Sequence, residues 1–205
     1  MPAPEPHSPV AEAGEDEPWM IPYHVKRCNR MDIDKLVRQH YLACWPGVVM
    51  DMFSLLGEGG VPIGAIVYSL PPRETCKRYG VDVWELARLY VIDGTPKNTE
   101  SWFIARTVRM VRGPMALVSY ADPSAGHTGT IYRAANWIAD GRTDDDRKTP
   151  RFDYGVSVDG VSRIYSRRGH VPDGAEIVRI PRVSKPRFVY WLDGTHEARR
   201  QAKTK

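Results

Sequence analysis

Asp122, His127 and Tyr132 fall within eleven residues of one another. In the same stretch Ser119, Tyr120, Ser124, Thr128, Thr130 and Asn136 add six more hydrogen-bonding side chains. An aspartate and a histidine on one loop can reach a common point. Such a pair suits a general base or two ligands of a hard or borderline metal ion. Pro123, Gly126 and Gly129 break the regular backbone between them. Each residue also has a plainer reading. Aspartate before proline opens turns, and a histidine beside glycine can cap the next helix. Tyr132 could bury its ring and leave its hydroxyl at a rim.

These side chains need a rigid mount. The apolar run Met115 to Val118 predicts a buried strand, and Thr130 to Ala139 predicts a helix, so the polar residues hang on a strand end, where a sheet can position a reachable loop. Upstream, Ile33, Leu36, Val37, His40, Tyr41 and Cys44 recur at helical spacing, with Asp32 or Asp34 as N-cap and Pro46-Gly47 as the stop. Val48 to Leu56 and Val61 to Ser69, joined by Gly57-Glu58-Gly59-Gly60, predict an antiparallel hairpin. Pro71 to Tyr79 reads as a basic connector and Trp84 to Ile92 as a third strand. Asn98 or Thr99 then caps a helix to about Arg112, with Phe103, Ile104, Val108 and Trp102 facing the core and Arg106 and Arg109 facing out. Ser101, in its first turn, could bind an anion or merely cap. Beyond it, Gly141 to Thr149 predicts a solvated loop. Phe152 to Val158 and Val161 to Tyr165 flank the turn dipeptide Asp159-Gly160. Ile177 to Val183 is short and basic, and Arg187 to Leu192 is a final strand.

Composition bounds the class. At 205 residues and 42% hydrophobic content the chain suits one substantial core. We expect a disordered acidic tail over 1–18, one catalytic domain over 19–195 and a basic tail over 196–205. Cys28, Cys44 and Cys76 are an odd set that fits a reducing compartment, and we read them as small buried residues. No apolar run reaches the roughly 20 residues of a membrane span, so no membrane partner is expected. Net charge is +4, but residues 1–17 hold five acids and no Lys or Arg, leaving 20 acids against all 29 bases, a surplus of nine. A basic surface concentrates polyanions such as nucleic acid. From Arg142 onward 15 Lys and Arg face nine acids, interleaved with Phe152, Tyr154, Tyr165, Phe188, Tyr190 and Trp191. That mixture suits a DNA backbone and an extruded base stacked on a ring, and equally an antiparallel sheet with a basic face.

The element order is mixed α/β, with antiparallel strands first and a central βαβ unit. It resembles the GNAT acetyltransferases, in which a cofactor pyrophosphate meets the amides opening a central helix. The corresponding loop, residues 93–101, lacks their glycine-rich signature, and Pro96 removes one donor. A closer resemblance rests on QHY at 39–41, ELARLYV at 85–91, NTES at 98–101, SYADPSAGHTGTIYRAANW at 119–137 and KPRFVYWL at 185–192. This set resembles the Mom family of bacteriophage DNA-modification proteins. The resemblance implies a GNAT-like fold and conversion of adenine in double-stranded DNA to an N6-carbamoylmethyl form that resists host restriction. It also implies acetyl-CoA and iron (Fe2+) as cofactors, the cytoplasm of the infected bacterium as the place of action, and a homodimer as one possible assembly.

Carried onto this chain, the resemblance makes Asp122, Tyr132, His127 and Ser119 catalytic, with Tyr132 as general acid at a leaving thiolate. His40 would join Asp122 and His127 on the metal. Arg88, a forked permanent cation whose rival role is an ion pair with Glu85, would hold the cofactor with Asn98, Thr99, Ser101 and Asn136. Tyr41, Tyr68 and Tyr120 would contact the substrate. The alternative is a small-molecule N-acetyltransferase with an incidental basic surface.

Overall fold

The computed structural model describes residues 23–192, apart from Asp146, Asp159, Gly160 and Arg167. Both expected tails and the expected start at Trp19 lie outside the described residues, as does the Asp159-Gly160 turn. A seven-stranded sheet forms the body. Its strands are β1 (His24–Arg27), β2 (Val49–Leu56), β3 (Pro62–Ser69), β4 (Val83–Val91), β5 (Ala116–Tyr120), β6 (Ile138–Arg142) and β10 (Pro186–Trp191), in the order β1-β2-β3-β4-β5-β10-β6. A separate three-stranded sheet, β8-β7-β9, is built from β7 (Phe152–Val158), β8 (Val161–Tyr165) and β9 (Ile177–Pro181). Four helices complete the fold: α1 (Arg30–Gln39), α2 (Arg73–Tyr79), α3 (Thr99–Met110) and α4 (Thr130–Ala134). Among the described residues no helix is long and apolar enough to cross a membrane.

The β2–β3 hairpin forms as the sequence predicts. Strand β3 is buried on both faces, so it reads as a continuous apolar run. Ala65 and Val67 pack under α1 with Ile33, Leu36 and Val37, while Ile66 and Tyr68 point the other way, among Phe103 and Ile104 of α3. The predicted βαβ unit is β4-α3-β5, whose strands are the only parallel pair among the described strands.

Several boundaries differ from expectation, each for a local reason. The cap of α1 is Asn29, not Asp32 or Asp34. Asn29 Oδ1 accepts from the amides of Met31 and Asp32, and Asp32 Oδ2 accepts the Asn29 amide at 3.0 Å, a reciprocal capping box. The helix ends at Gln39 rather than near Cys44, so His40 is its C-cap and Tyr41 lies beyond it. The 71–79 connector contains a helix, α2, opened by Pro72 and closed by Gly80 in the left-handed conformation. Strand β1 was not foreseen, which makes the predicted third strand the fourth. The helix expected over 130–139 stops at Ala134, because Asn136 adopts φ 64° and closes a Schellman motif. The Trp137 amide donates to Tyr132 O at 2.9 Å and the Asn136 amide to Arg133 O at 3.0 Å. Residues 138–142 then form β6. Cys28 and Cys76 are half-buried, but Cys44 is exposed.

Candidate functional site

The parallel pairing of β4 and β5 covers only Val83 to Glu85 against Ala116 to Val118, after which the strands part. A bulge at Ala87, where the β3 register shifts, turns β4 further away. Between the separated strands lies a cleft of about 1010 Å3, at the upper end of the roughly 300–1,000 Å3 typical of ligand sites. Asp122, His127 and Tyr132 all line it, as do His40, Tyr41 and Arg88.

Asp122 is buried at the first bend after β5. Its Oδ1 accepts the Ser124 amide at 3.0 Å, and its backbone carbonyl accepts the amides of Ala125 and His127. The turn-opening role is thus real for one oxygen. The other meets Lys185 Nζ at 2.6 Å. Burial pushes the carboxyl pKa up, but the Lys185 ammonium and the Ser124 amide outweigh it and hold the group below the usual carboxylate range. Asp122 is therefore a fixed anion at neutral pH.

Tyr132 is only 7% exposed, stacked on Phe188 at 5.1 Å and tilted against Trp137 at 5.5 Å. That second contact is the apolar clasp of the Schellman motif. The hydroxyls of Ser119 and Tyr132 lie 2.8 Å apart, and Ser119 Oγ is 2.9 Å from the Leu86 carbonyl across the gap between β4 and β5. Serine has one hydroxyl hydrogen and the carbonyl can only accept, so when Ser119 donates to Leu86, Tyr132 donates to Ser119. Burial pushes the Tyr132 phenol up to about 12, leaving it a neutral proton donor at working pH. Gly129 has φ 79° where the chain passes the Phe188 ring, and a Cβ there would collide with it.

His40 accepts the Leu42 amide on Nδ1 at 3.2 Å, which places the neutral ring's proton on Nε2. Burial, then the charge of Arg88, hold its pKa down to about 4. Tyr41 stands half-exposed at the rim, 4.3 Å from the His40 ring and edge-on to the exposed His127 at 5.2 Å. Burial and the neighbouring Asp122 carboxylate push its phenol up to about 12. Arg88 forms no ion pair with Glu85. Its Nε donates to Cys44 O at 2.7 Å and its Nη1 to Ala87 O at 2.6 Å, which pins the 40–45 turn to β4. Tyr120 lines the cleft, with its hydroxyl 3.2 Å from Thr75 Oγ1.

The iron set implied by the resemblance does not assemble. Among the described residues no group of three His, Cys, Asp or Glu side chains is placed to hold a metal. Both Asp122 oxygens are engaged, one by a cation that would repel a second, and His40 Nδ1 is taken by a backbone amide.

The helix opening suits an anion better. Asn98 caps α3 in a left-handed conformation with no side-chain cap bond; the Thr99 amide donates to Pro96 O at 3.2 Å, and the amides of Glu100 and Ser101 are left for an external acceptor. Thr99 Oγ1 donates to Pro96 O at 2.6 Å and Ser101 Oγ to Asn98 O at 3.0 Å. Their protons are spent locally, and the backbone is what they leave for a ligand. Glu100, in the same turn, lines the cleft and opposes an anion there. Asn98, Thr99 and Ser101 do not themselves line the cleft, and two further expected residues lie elsewhere. Tyr68 is fully buried in the core with its hydroxyl 2.8 Å from Thr107 Oγ1, so it does not reach a substrate. Asn136 shapes the end of α4 outside the cleft.

Two cleft residues escaped notice. Lys185 opens the KPRFVYWL motif with no expected role, and Glu85, in ELARLYV, enters only as a rival ion-pair partner of Arg88. Glu85 sits at the base of the split, where burial raises its carboxyl pKa against the opposing charges of Arg88 and Lys185.

Comparison with known proteins decides the family. The model of the Mom protein family matches residues 22–205. The chain belongs to that family. No curated protein matches it. Among solved structures, the Mom-family chain described here is similar to Arabidopsis thaliana NAA60 in complex with acetyl-CoA, at 9% identity and a TM-score of 0.50, over 84% of this chain and 99% of that one. An acetyltransferase of the GNAT family from Bacillus cereus matches at 11% identity and a TM-score of 0.45, over 82% and 96%. An aminoglycoside N(6')acetyltransferase from Legionella pneumophila matches at 10% and 0.49, over 87% and 95%. The expected mixed α/β, GNAT-like fold is the fold observed.

Proposed function

We propose that this protein attaches a carbamoylmethyl group to N6 of adenine in double-stranded phage DNA, in the cytoplasm of the infected host, and so protects that DNA from restriction. Family membership supports the DNA-modifying class. The observation that carries the reading is the convergence, in one cleft beside an uncapped helix end, of a fixed carboxylate (Asp122), a buried neutral phenol (Tyr132) and an aromatic rim (Tyr41, His127).

Adenine N6 is paired inside the duplex, so the base must leave the stack to react. Tyr41 and His127 offer ring faces and edges at the mouth for an extruded purine. Asp122, kept ionised by Lys185, would accept a hydrogen bond from the exocyclic amine through a remaining lone pair and draw off its proton as the nitrogen attacks. Tyr132 can deliver a proton to the leaving group when Ser119 turns its own hydroxyl hydrogen from Leu86 to the Tyr132 oxygen. His40, neutral with its Nε2 proton free of the turn, can donate to a developing oxyanion. Acetyl-CoA, held by the β4 backbone past Glu85 and the amides opening α3, would supply an activated acyl carbon. Direct acyl transfer would bond N6 to that carbonyl carbon and release the CoA thiol, giving an acetyl adduct. The carbamoylmethyl group bonds N6 through its methylene and ends in an amide, so its formation needs, besides acetyl-CoA, an amine donor for the amide nitrogen and a two-electron oxidant for the methyl carbon.

Mass spectrometry of nucleosides digested from DNA of cells expressing the protein tests the reading. The expected result is a carbamoylmethyl-deoxyadenosine peak with the wild type and none with Asp122→Ala. Unmodified DNA together with acetylation of free amines by the purified protein would instead establish a small-molecule N-acetyltransferase.

A further inference from the structure

The turn that follows α1, residues 40–45, is held more firmly than a surface connection requires. Trp45 Nε1 donates to Asp34 Oδ1 at 2.7 Å, which ties the end of the turn back to α1. Arg88 Nε donates to Cys44 O and its Nη2 to Cys44 Sγ, which ties the turn to β4. Within it the Leu42 amide bonds to His40 Nδ1 and the Ala43 amide to His40 O at 2.6 Å. Ala43 adopts φ 49°, a left-handed conformation that a residue with a Cβ keeps only where its surroundings enforce it. Strain of this kind collects at ligand clamps and active sites.

These bonds fix the turn, yet Tyr41 and Leu42 stay 46% and 43% exposed. Among the described residues Leu42 packs against none of the three apolar clusters. A single exposed leucine is ordinary. One that a strained, cross-bonded turn sets at the lip of a cleft is presented to something. Leu42 lines the cleft beside Tyr41, and Tyr41 meets His127 of the neighbouring lip edge-on at 5.2 Å. That lip also carries a cation. Arg133 Nη1 donates to the carbonyl of Thr128, which lines the cleft, and its guanidinium meets no carboxylate among the described residues. An extruded adenine leaves behind it a vacancy one base step thick, about 3.4 Å, and an orphaned partner base. If Tyr41 holds the extruded base, its neighbour Leu42 lies one Cα step away, about 3.8 Å, which matches that rise. Apolar side chains that enter a base step keep it unstacked, and the Arg133 guanidinium is left for a phosphate of the opened strand.

We propose that Leu42 enters the duplex where the target adenine has left and holds that vacancy open, as a positioning residue for base extrusion. This rests on the reading of the protein as a DNA adenine modifier. The test uses the full chain and two duplexes carrying 2-aminopurine in place of an adenine that the wild type modifies. In one the analogue is paired with thymine. In the other it faces an abasic site, so there is neither a pair to open nor a partner base to hold apart. Leu42→Ala changes an exposed side chain and should keep the wild-type melting temperature. On the paired duplex it should bind about tenfold more weakly and lose the fluorescence rise that reports unstacking. On the abasic duplex both signals should stay within about twofold of wild type. Leu42→Met, which keeps the apolar bulk, should restore both on the paired duplex. Wild-type behaviour of Leu42→Ala on the paired duplex would overturn the proposal and leave the DNA-modifying function standing. An equal loss on both duplexes would also overturn it, by making Leu42 a general contact of the mouth. A wild type that binds neither duplex would remove the functional reading and the positioning role with it.

Discussion

The two sheets follow opposite rules. In the seven-stranded sheet, apolar side chains are covered on both faces by α1, α2 and α3. Among the described side chains of the three-stranded sheet the buried one is Val156, while larger aliphatics lie open. A sheet that needs rigidity buries what it has, and a sheet that leaves Ile and Val in water is either unstable or awaiting something. The large sheet therefore supplies the precision of the reaction site, and the small one supplies a surface.

Substitutions can break or sharpen that contrast. The largest effect is expected from Phe103→Ala in the main core, which should cost about 3–5 kcal/mol in denaturant unfolding. A loss below 1 kcal/mol would mean that the large sheet is not the rigid partner. Next, Tyr132→Phe keeps the stacked ring and removes only the hydroxyl. Product formation should fall by about a hundredfold or more, with DNA and acetyl-CoA binding retained, as measured by single-turnover nucleoside analysis. Lys185→Met joins the two regions. It strips the cation that holds Asp122 below the normal carboxylate range, so the acid limb of the pH–rate profile should move to higher pH. The stabilising ion pair, present above the usual carboxylate pKa and lost as pH falls through the depressed native value, should disappear from the stability curve. His40 acts in a different window. Its pKa falls from 6.5 to about 4 in the native protein, so the unfolded chain takes up the proton first and stability should decline as pH drops through that interval. His40→Gln should flatten the decline in melting temperature. Smallest of all, Val178→Ser on the exposed face should change stability by no more than about 0.5 kcal/mol.

How much of this could be read from the residues varied with the kind of signal. The β2–β3 hairpin, α3 and the β4-α3-β5 unit rest on local periodicity and turn chemistry, and they formed where those signals put them. The grouping of Asp122, His127 and Tyr132 was visible because one short loop carries them. Lys185 was not visible as a partner, since 63 residues separate it from Asp122 and only the return of β10 beside β5 brings them together. Tyr68 was expected at the substrate only through the family resemblance; a tyrosine on a strand has two faces to choose from, and the core took this one. Asn136 looked chemical because it sits in a dense polar motif, yet its left-handed backbone gives it the work of ending a helix. The exposed aliphatic face was hidden because alternation in β8 and β9 does not say which parity is covered.

The place of β10 has a temporal consequence. It is the last of the described strands, yet it lies between β5 and β6 and bonds to both. It brings Phe188 under Tyr132 and follows directly on Lys185. Until residues 185–191 have been synthesised and threaded into that gap, the phenol has no floor and the carboxylate no counter-ion. A chain that ends before residue 185 is therefore expected to lack activity, because neither the Phe188 ring nor the Lys185 ammonium is in place.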